Sequence, residues 1–366
     1  MVAPCYLVAP NLKKSSILVA TLLTLSMIHE LKEIILQAKR NQDKPLKNVL
    51  VTVVALEGSS YRKPGVRMLI SEDEKMIGAV SGGCVEKEIL HRSNSVFQKK
   101  EPKIITYDGR YKLGCEGVLY ILIEPFFVSE EFYTAFINAV LKRKPIKIAS
   151  FFLKEEESNS AFGSITTFEN SAQFSFSENS LRKTKKNLLS FTQHLEPAFN
   201  LRIIGAEHDA VKLCKMASFL GWQVDIVTSL KDPKRIVDFP GANSVIGSDA
   251  EIIDFSSIDS NTGIVIMNHS YVQDLKYVLK LVDKKPAYFG ILGAAKRRDK
   301  MFNELFEYDS SISEDFLERI FTPAGLNLGA QTPEEIALSI LSEILATIKN
   351  KKPASLKTVI GHIHQN

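Results

Sequence analysis

LRIIGAEHDAVKLCKMASFLGWQVDIVT, residues 201–228, reads as strand, tight turn, helix, glycine stop and strand. The apolar run 201–204 ends at Gly205. Ala210, Val211, Cys214, Ala217 and Leu220 then recur at the spacing of one helix face, and Gly221 suits the C-terminal cap. Residues 224–227 supply the next strand. Downstream, 263–267 and 287–292 are further buried-strand runs, each followed by a helical pattern. This βα alternation predicts a Rossmann-like, doubly wound parallel sheet. Thr332-Pro333-Glu334-Glu335 is a capping box with proline at the first helical position. It opens a closing helix striped by Ile336, Ile340, Leu341, Ile344, Leu345 and Ile348.

The Gly205 turn is not a regular dinucleotide fingerprint. G-x-G-x-x-G/A would need a second glycine where Glu207 stands, and that glycine lets pyrophosphate approach bare backbone. The acid expected at the end of the following strand is Thr228, with Asp225 inside the strand an imperfect substitute. A Rossmann scaffold with another ligand, or none, is therefore favoured over ordinary NAD(P) binding. Asn268-His269 follows the 263–267 strand, and Gly293-Ala294-Ala295-Lys296-Arg297-Arg298 follows the next. In a parallel sheet both fall on the carboxyl edge, where ligands bind. The second stretch reads either as a phosphate cradle or as a solvated helix start.

Upstream, 28–38 has helical spacing and 49–56 is a nearly continuous apolar run, read as a buried strand. Residues 58–86 contain GSSYRKPGVRMLI (58–70) and MIGAVSGGCVE (76–86). Cys84 follows Gly82-Gly83 and opens a helical pattern, so unpaired amides and the helix dipole favour its thiolate. Arg62, Lys63 and Arg67 lie nearby, and the Ser81-Gly82-Gly83 turn completes an anion-and-sulfur candidate. Cys115, in LGCEG (113–117), is a second loop cysteine, whereas Cys214 falls on a helix core face. For each loop cysteine the plain alternative is an inert structural thiol.

The chain has 366 residues and a net charge of +4, with no long basic run. That balance and the absence of a recognition motif argue against nucleic acid. Four cysteines without a CxxC pair give no disulfide framework or zinc knuckle and suit a cytoplasmic, reduced protein. Lys13-Lys14 precedes an apolar run, 17–25, too short to span a bilayer; residues 1–26 read either as a leader or as a start assigned upstream of Met27. The expected organisation is a small mixed α/β domain at 27–125, a spacer or sheet extension at 126–200, the Rossmann-like domain at 201–349 and a tail.

Taken together, GSSYRKPGVRMLI with GAVSGGCVEKEIL, LGCEG with LYILIEP, and the C-terminal LRIIGAEHDA, IVIMNHSYVQDL, YFGILGAAKRR and GLNLGAQTPEEIALSILSEI resemble the XdhC/CoxI family. The resemblance runs from about residue 27 to 348 in the family's motif order. It implies an accessory chaperone, more than a catalyst, that binds molybdenum cofactor (molybdopterin). Such a chaperone helps load the cofactor into an apo-molybdoenzyme of the xanthine dehydrogenase or CO dehydrogenase type. A homodimer, a contact with a cysteine desulfurase and no membrane association are expected with it. The implied cofactor-binding set is Arg62, Arg67, Ser81, Gly82, Gly83, Cys84, Cys115, Gly205, His208, Asn268, His269 and Arg297, with Cys84 facing the molybdenum. Soft sulfur suits that metal. Two departures stand out: GAEHDA where the family reads GAGH-x-A, and LGCEG where it reads LGCGG. An NAD(P)-dependent oxidoreductase and a docking module without cofactor are the alternatives.

Overall fold

A computed structural model describes residues 27–58, 60, 63–81, 85–109, 117–177 and 187–358. They form two compact units, one ending at Glu196 and the other beginning at Pro197. Arg62, Gly82, Gly83, Cys84 and Cys115, along with residues 1–26, lie outside the described residues.

The first unit runs α1 (Met27–Gln42), β1 (Asn48–Glu57), β2 (Arg67–Ser71), β3 (Met76–Gly78), α2 (Glu86–Lys99), β4 (Lys103–Asp108), β5 (Val118–Pro125) and α3 (Glu130–Leu141). It continues with β6 (Ile146–Phe152), β7 (Gly163–Thr167), β8 (Gln173–Ser175) and β9 (Leu189–Leu195). Its sheets have the orders β3-β2-β1-β5-β4 and β8-β7-β6-β9, and the pairings are antiparallel. Strand alternation sorts the first sheet's faces. Val49, Val51, Val53, Ile121 and Ile123 pack against Ile89 and Val96 of α2. Val54, Ile104 and Leu122 on the other face meet Phe152 and Phe162. The phenylalanines spaced through 162–176 lie on and beside a hairpin, β7–β8. Phe168, Phe174 and Phe176 gather around Phe132 of α3 at ring separations of 6.1, 5.7 and 6.0 Å.

The second unit runs β10 (Asn200–Ile204), α4 (His208–Phe219), β11 (Gln223–Thr228), β12 (Ser244–Gly247), β13 (Thr262–Ile266) and α5 (Tyr271–Lys280). It continues with β14 (Tyr288–Ile291), α6 (Ala295–Tyr308), α7 (Glu314–Glu318), β15 (Ile320–Phe321) and α8 (Pro333–Ile348). The sheet order is β12-β11-β10-β13-β14-β15, all parallel, which is the expected doubly wound Rossmann-like arrangement. Ile203 and Val265 face α4 and α8, meeting Leu213, Cys214, Ile340 and Ile344. Ile204, Ile264 and Ile266 face the other way, onto Leu275, Val278, Met301 and Leu305 of α5 and α6. Leu345 departs from the expected stripe: it is 44% exposed.

Gly221 follows α4 with φ +80°, the left-handed C-terminal cap read from sequence. The capping box also forms: Thr332 accepts from the Glu335 amide, and Glu335 Oε2 accepts from the Gln331 and Thr332 amides at 2.8 and 3.0 Å. Thr332→Ala is expected to cost about 1 kcal/mol, read as a lower urea midpoint for the second unit; Thr332→Ser should retain most of it.

Candidate functional site

The second unit reverses its winding between β10 and β13, so the crevice at their carboxyl ends is the place a ligand would enter. Gly205 leaves β10 there with φ +142°. Its amide donates to the Val227 carbonyl at 3.0 Å, and a Cβ on it would lie 2.6 Å from the Met267 carbonyl oxygen. The chain thus turns against the end of β13, beside Asn268 and His269. Glu207 is the exposed N-cap of α4 and makes no side-chain capping bond; His208 is exposed in the first turn. Thr228 is buried, and its hydroxyl leans on the Ile246 carbonyl at 3.5 Å. Asp225 sits mid-strand, accepting from Asn200 at 2.8 Å and Ser244 at 2.6 Å, away from the edge. The positions that would hold a dinucleotide's pyrophosphate and ribose are therefore an exposed carboxylate and a buried threonine.

Asn268 and Arg297 converge on a residue not singled out from sequence, Asp274. This side chain of α5 is 0% exposed and accepts from Asn268 Nδ2 at 3.0 Å and Arg297 Nη2 at 2.5 Å. Burial outweighs the pull of Asn268, Arg297 and His269 and pushes its carboxyl up to about 6. The guanidinium of Arg297 lies 5.6 Å from the Tyr271 ring centre, with Lys300 Nζ 4.5 Å from the same ring. The signal was present in the sequence: Asp274 shares a helix stripe with Tyr271, Leu275, Val278 and Leu281, where a carboxylate is costly unless paired.

In the first unit, strand register brings the flanks of three loops to one end of a sheet. Glu57 of β1 and Asp108 of β4 both pair with Val118 of β5, and Gly78 of β3 pairs with Met68. The loops after β1, after β3 and between β4 and β5 are the ones that carry the motif glycines and cysteines. Ser81, in the loop after β3, donates through its amide and hydroxyl to the two carboxylate oxygens of Glu86, at 2.9 and 2.7 Å. The Val85 amide donates to the same carboxylate at 3.2 Å. Glu86 is 7% exposed; burial opposes its charge, but the bonds from Ser81 and the backbone hold its carboxyl below the usual range. The donors expected to favour a thiolate at the start of α2 thus already serve a carboxylate at both flanks of residues 82–84.

Arg67 does not line an open pocket. It is 3% exposed, bonded to the Gly65 carbonyl at 3.0 Å and to Gln193 Oε1 of β9 at 2.6 Å, with Nε and Nη2 buried and without hydrogen-bond partners. Desolvation pulls its pKa down to about 10, against the attraction of Glu124 and Glu30. Arg67→Met removes the bonds at 3.0 and 2.6 Å and the cation that attracts the fully buried Glu124, so a loss of about 3 kcal/mol in urea stability is expected. A change within about 1 kcal/mol would show that relief from desolvation offsets those interactions.

Cys214 is a core residue, fully buried, with its thiol pushed up to about 11 by burial. A cleft of about 340 Å³ lies at the other end of the first unit's sheet, between Asn48, Val96, Phe97, Pro125 and Phe127, and none of the candidate residues lines it. Among the described residues no group of three or more His, Cys, Asp or Glu side chains could hold a metal ion, and no helix is long and apolar enough to cross a membrane.

Known families match both units. A model of the XdhC and CoxI family covers residues 43–108, and one of the XdhC Rossmann domain covers 201–344. The chain belongs to the XdhC and CoxI family. A Bacillus subtilis (strain 168) protein named as a probable xanthine dehydrogenase subunit is 29% identical over 82% of this chain and 93% of its own length. The Escherichia coli (strain K12) molybdenum cofactor insertion chaperone PaoD is 24% identical over 81% of this chain and 82% of its own. A crystal structure from Bacillus halodurans, described as a xanthine dehydrogenase, superposes with TM-score 0.69 at 25% identity, covering 88% of this chain and 97% of that one. The family's first model spans the strands that frame the loops after β1 and β3; its second spans the parallel sheet and most of α8.

Proposed function

We propose that this XdhC/CoxI protein binds molybdenum cofactor and delivers it to an apo-molybdoenzyme of the xanthine dehydrogenase type. The observation that carries this reading is that both units match one family, in order, and that a relative of near-equal extent is a cofactor insertion chaperone. An accessory role in maturation is what those relatives support; cofactor binding and hand-over by this chain are the further step. The chemistry suits it. The cofactor is a pterin with a phosphate and a dithiolene that already holds its metal, so the protein needs anion donors and sulfur rather than a metal-ligand cluster. Arg297, Asn268, His269, His208 and Gly205 offer the first on the second unit's carboxyl edge. Cys84 and Cys115, with Arg62 and the Ser81-Gly82-Gly83 turn, are proposed for the sulfur-facing end. A homodimer, a cysteine desulfurase contact and a cytoplasmic setting belong to the same proposal. An exposed Glu207 at the α4 N-cap and a buried Thr228 argue against a nicotinamide enzyme.

The test is co-expression with a cofactor-synthesis pathway, followed by assay of pterin and molybdenum per purified chain. Near-stoichiometric pterin, lowered at least severalfold by Cys84→Ala, is expected. A protein that purifies empty under air and under nitrogen would sink the reading. If it still captures an apo-hydroxylase after Cys84→Ala, the docking-module alternative would take its place. Titration with NADH and NADPH should show no binding at millimolar ligand.

A further inference from the structure

Asp274 has both carboxylate oxygens committed to residues from two different strand ends. Asn268 follows β13 and donates to Oδ1; Arg297 opens α6, after β14, and donates to Oδ2. A fully buried carboxylate that serves only to pair one cation is a poor source of stability, because desolvation consumes most of the gain. This one instead fixes the direction of a guanidinium. With Nη2 held, Arg297 Nε is buried and has no hydrogen-bond partner, an unmet donor that is costly until an acceptor arrives. Gly293 makes room for this pose: its φ is +153°, and a Cβ there would come within 3.0 Å of Arg297 Cδ. The Tyr271 ring lies beside the guanidinium, and Lys300 adds a second cation at the same ring. Arg297 lies in the first turn of α6, whose N-cap, Ala294, makes no side-chain capping bond, whereas α5 and α8 are capped by Ser270 and Thr332. An oxygen-rich anion seated here would satisfy the Nε donor and meet the uncapped first turn of α6 together.

We propose that Asp274 is a positioning residue that holds Arg297 and Asn268 to receive a phosphate group at the carboxyl edge of the parallel sheet. It rests on the reading that the chain binds a phosphate-bearing cofactor, and it names the chemical group that the second unit takes. Asparagine is no substitute for Asp274. With the Asn268 amide turned over it can still bond both neighbours, but it lacks the negative charge that holds the Arg297 guanidinium in a charge-assisted bond.

The test uses full-length, ¹⁵N-arginine-labelled protein titrated with inorganic pyrophosphate. The Arg297 Nε–H resonance, assigned by its loss in Arg297→Lys, should shift saturably. Asp274→Asn and Arg297→Lys should each weaken pyrophosphate binding about tenfold, the second because lysine keeps the charge but not the fork. Thermal midpoints taken alongside separate misfolding from lost binding. Should Asp274→Asn not fold, the wild-type shift and Arg297→Lys still decide. An unmoved Arg297 resonance in the wild type, or full affinity in folded Asp274→Asn or in Arg297→Lys, overturns the inference. Cofactor co-purification is scored separately on the same proteins. Pterin retained with an unmoved Arg297 resonance leaves the chaperone reading standing and sinks this one. Pyrophosphate bound as expected by a chain that purifies without pterin does the reverse.

Discussion

Gly205→Ala should destabilise the second unit by about 3–5 kcal/mol, the scale reserved for changes that combine strain with a clash the core cannot relieve. At φ +142° the new residue sits where L side chains rarely go, and its Cβ would lie 2.6 Å from a main-chain oxygen, Met267 O, not from a flexible side-chain tip. The two strands that would have to part are β10 and β13, central neighbours in the sheet. Trp222 is the chain's one tryptophan and packs on Phe199 in this unit, so its fluorescence during urea unfolding reports the effect directly. A midpoint within error of wild type would mean that the turn is far more plastic than its geometry indicates.

Glu86→Ala should cost the first unit about 3 kcal/mol at neutral pH, because one carboxylate satisfies the Ser81 amide, the Ser81 hydroxyl and the Val85 amide. The pH dependence has a definite sign. The folded-state pKa of Glu86 is lowered, so the folded chain holds this proton less readily than the unfolded one. Its contribution is present above the unfolded value, about 4.3 for glutamate, and is lost as pH falls through the folded value. Wild type should therefore show a component of acid destabilisation that Glu86→Ala lacks. The gap between the two proteins should shrink as pH drops below about 4. Hydrogen exchange at Ser81 and Val85 gives the local readout: both amides should exchange faster in the variant at pH 7, and equal rates would count against the clamp.

Much of this was legible in the chain. Residues 201–228 declare a βαβ unit because the helix stripe, Gly221 and the flanking apolar runs agree with one another, and the parallel sheet follows from repeating that pattern. β12 and β15 were not legible: four and two residues are too short for a periodic signal, and they form by pairing with strands already placed. Gly205, Asn268 and Arg297 could be placed on one edge from topology alone. Asp274, which ties the last two together, reads in sequence as a misplaced polar residue on an apolar face. Glu86 was hidden more deeply. It lies five residues from Ser81, outside the three-residue spacing of a capping box, so only the folded turn reveals the pairing. Arg67 reads from its charge as part of an anion pocket, whereas strand alternation beside Leu69 turns it inward.

The three loop necks of the first unit have a consequence for how such proteins diversify. Gly65 and Val66 bond back to Val53 at 2.8 and 3.1 Å, the Gly109 amide reaches the Gly117 carbonyl at 3.0 Å, and Glu86 closes the neck after β3. Each neck is fastened by main-chain groups or by a residue outside the segment it frames. These fastenings therefore use no side chain of residues 82–84 or 110–116, the segments that hold Cys84 and Cys115. Loops swapped between relatives at these necks should fold on a recipient's framework. Such chimeras would allow cargo preference to be reassigned one segment at a time.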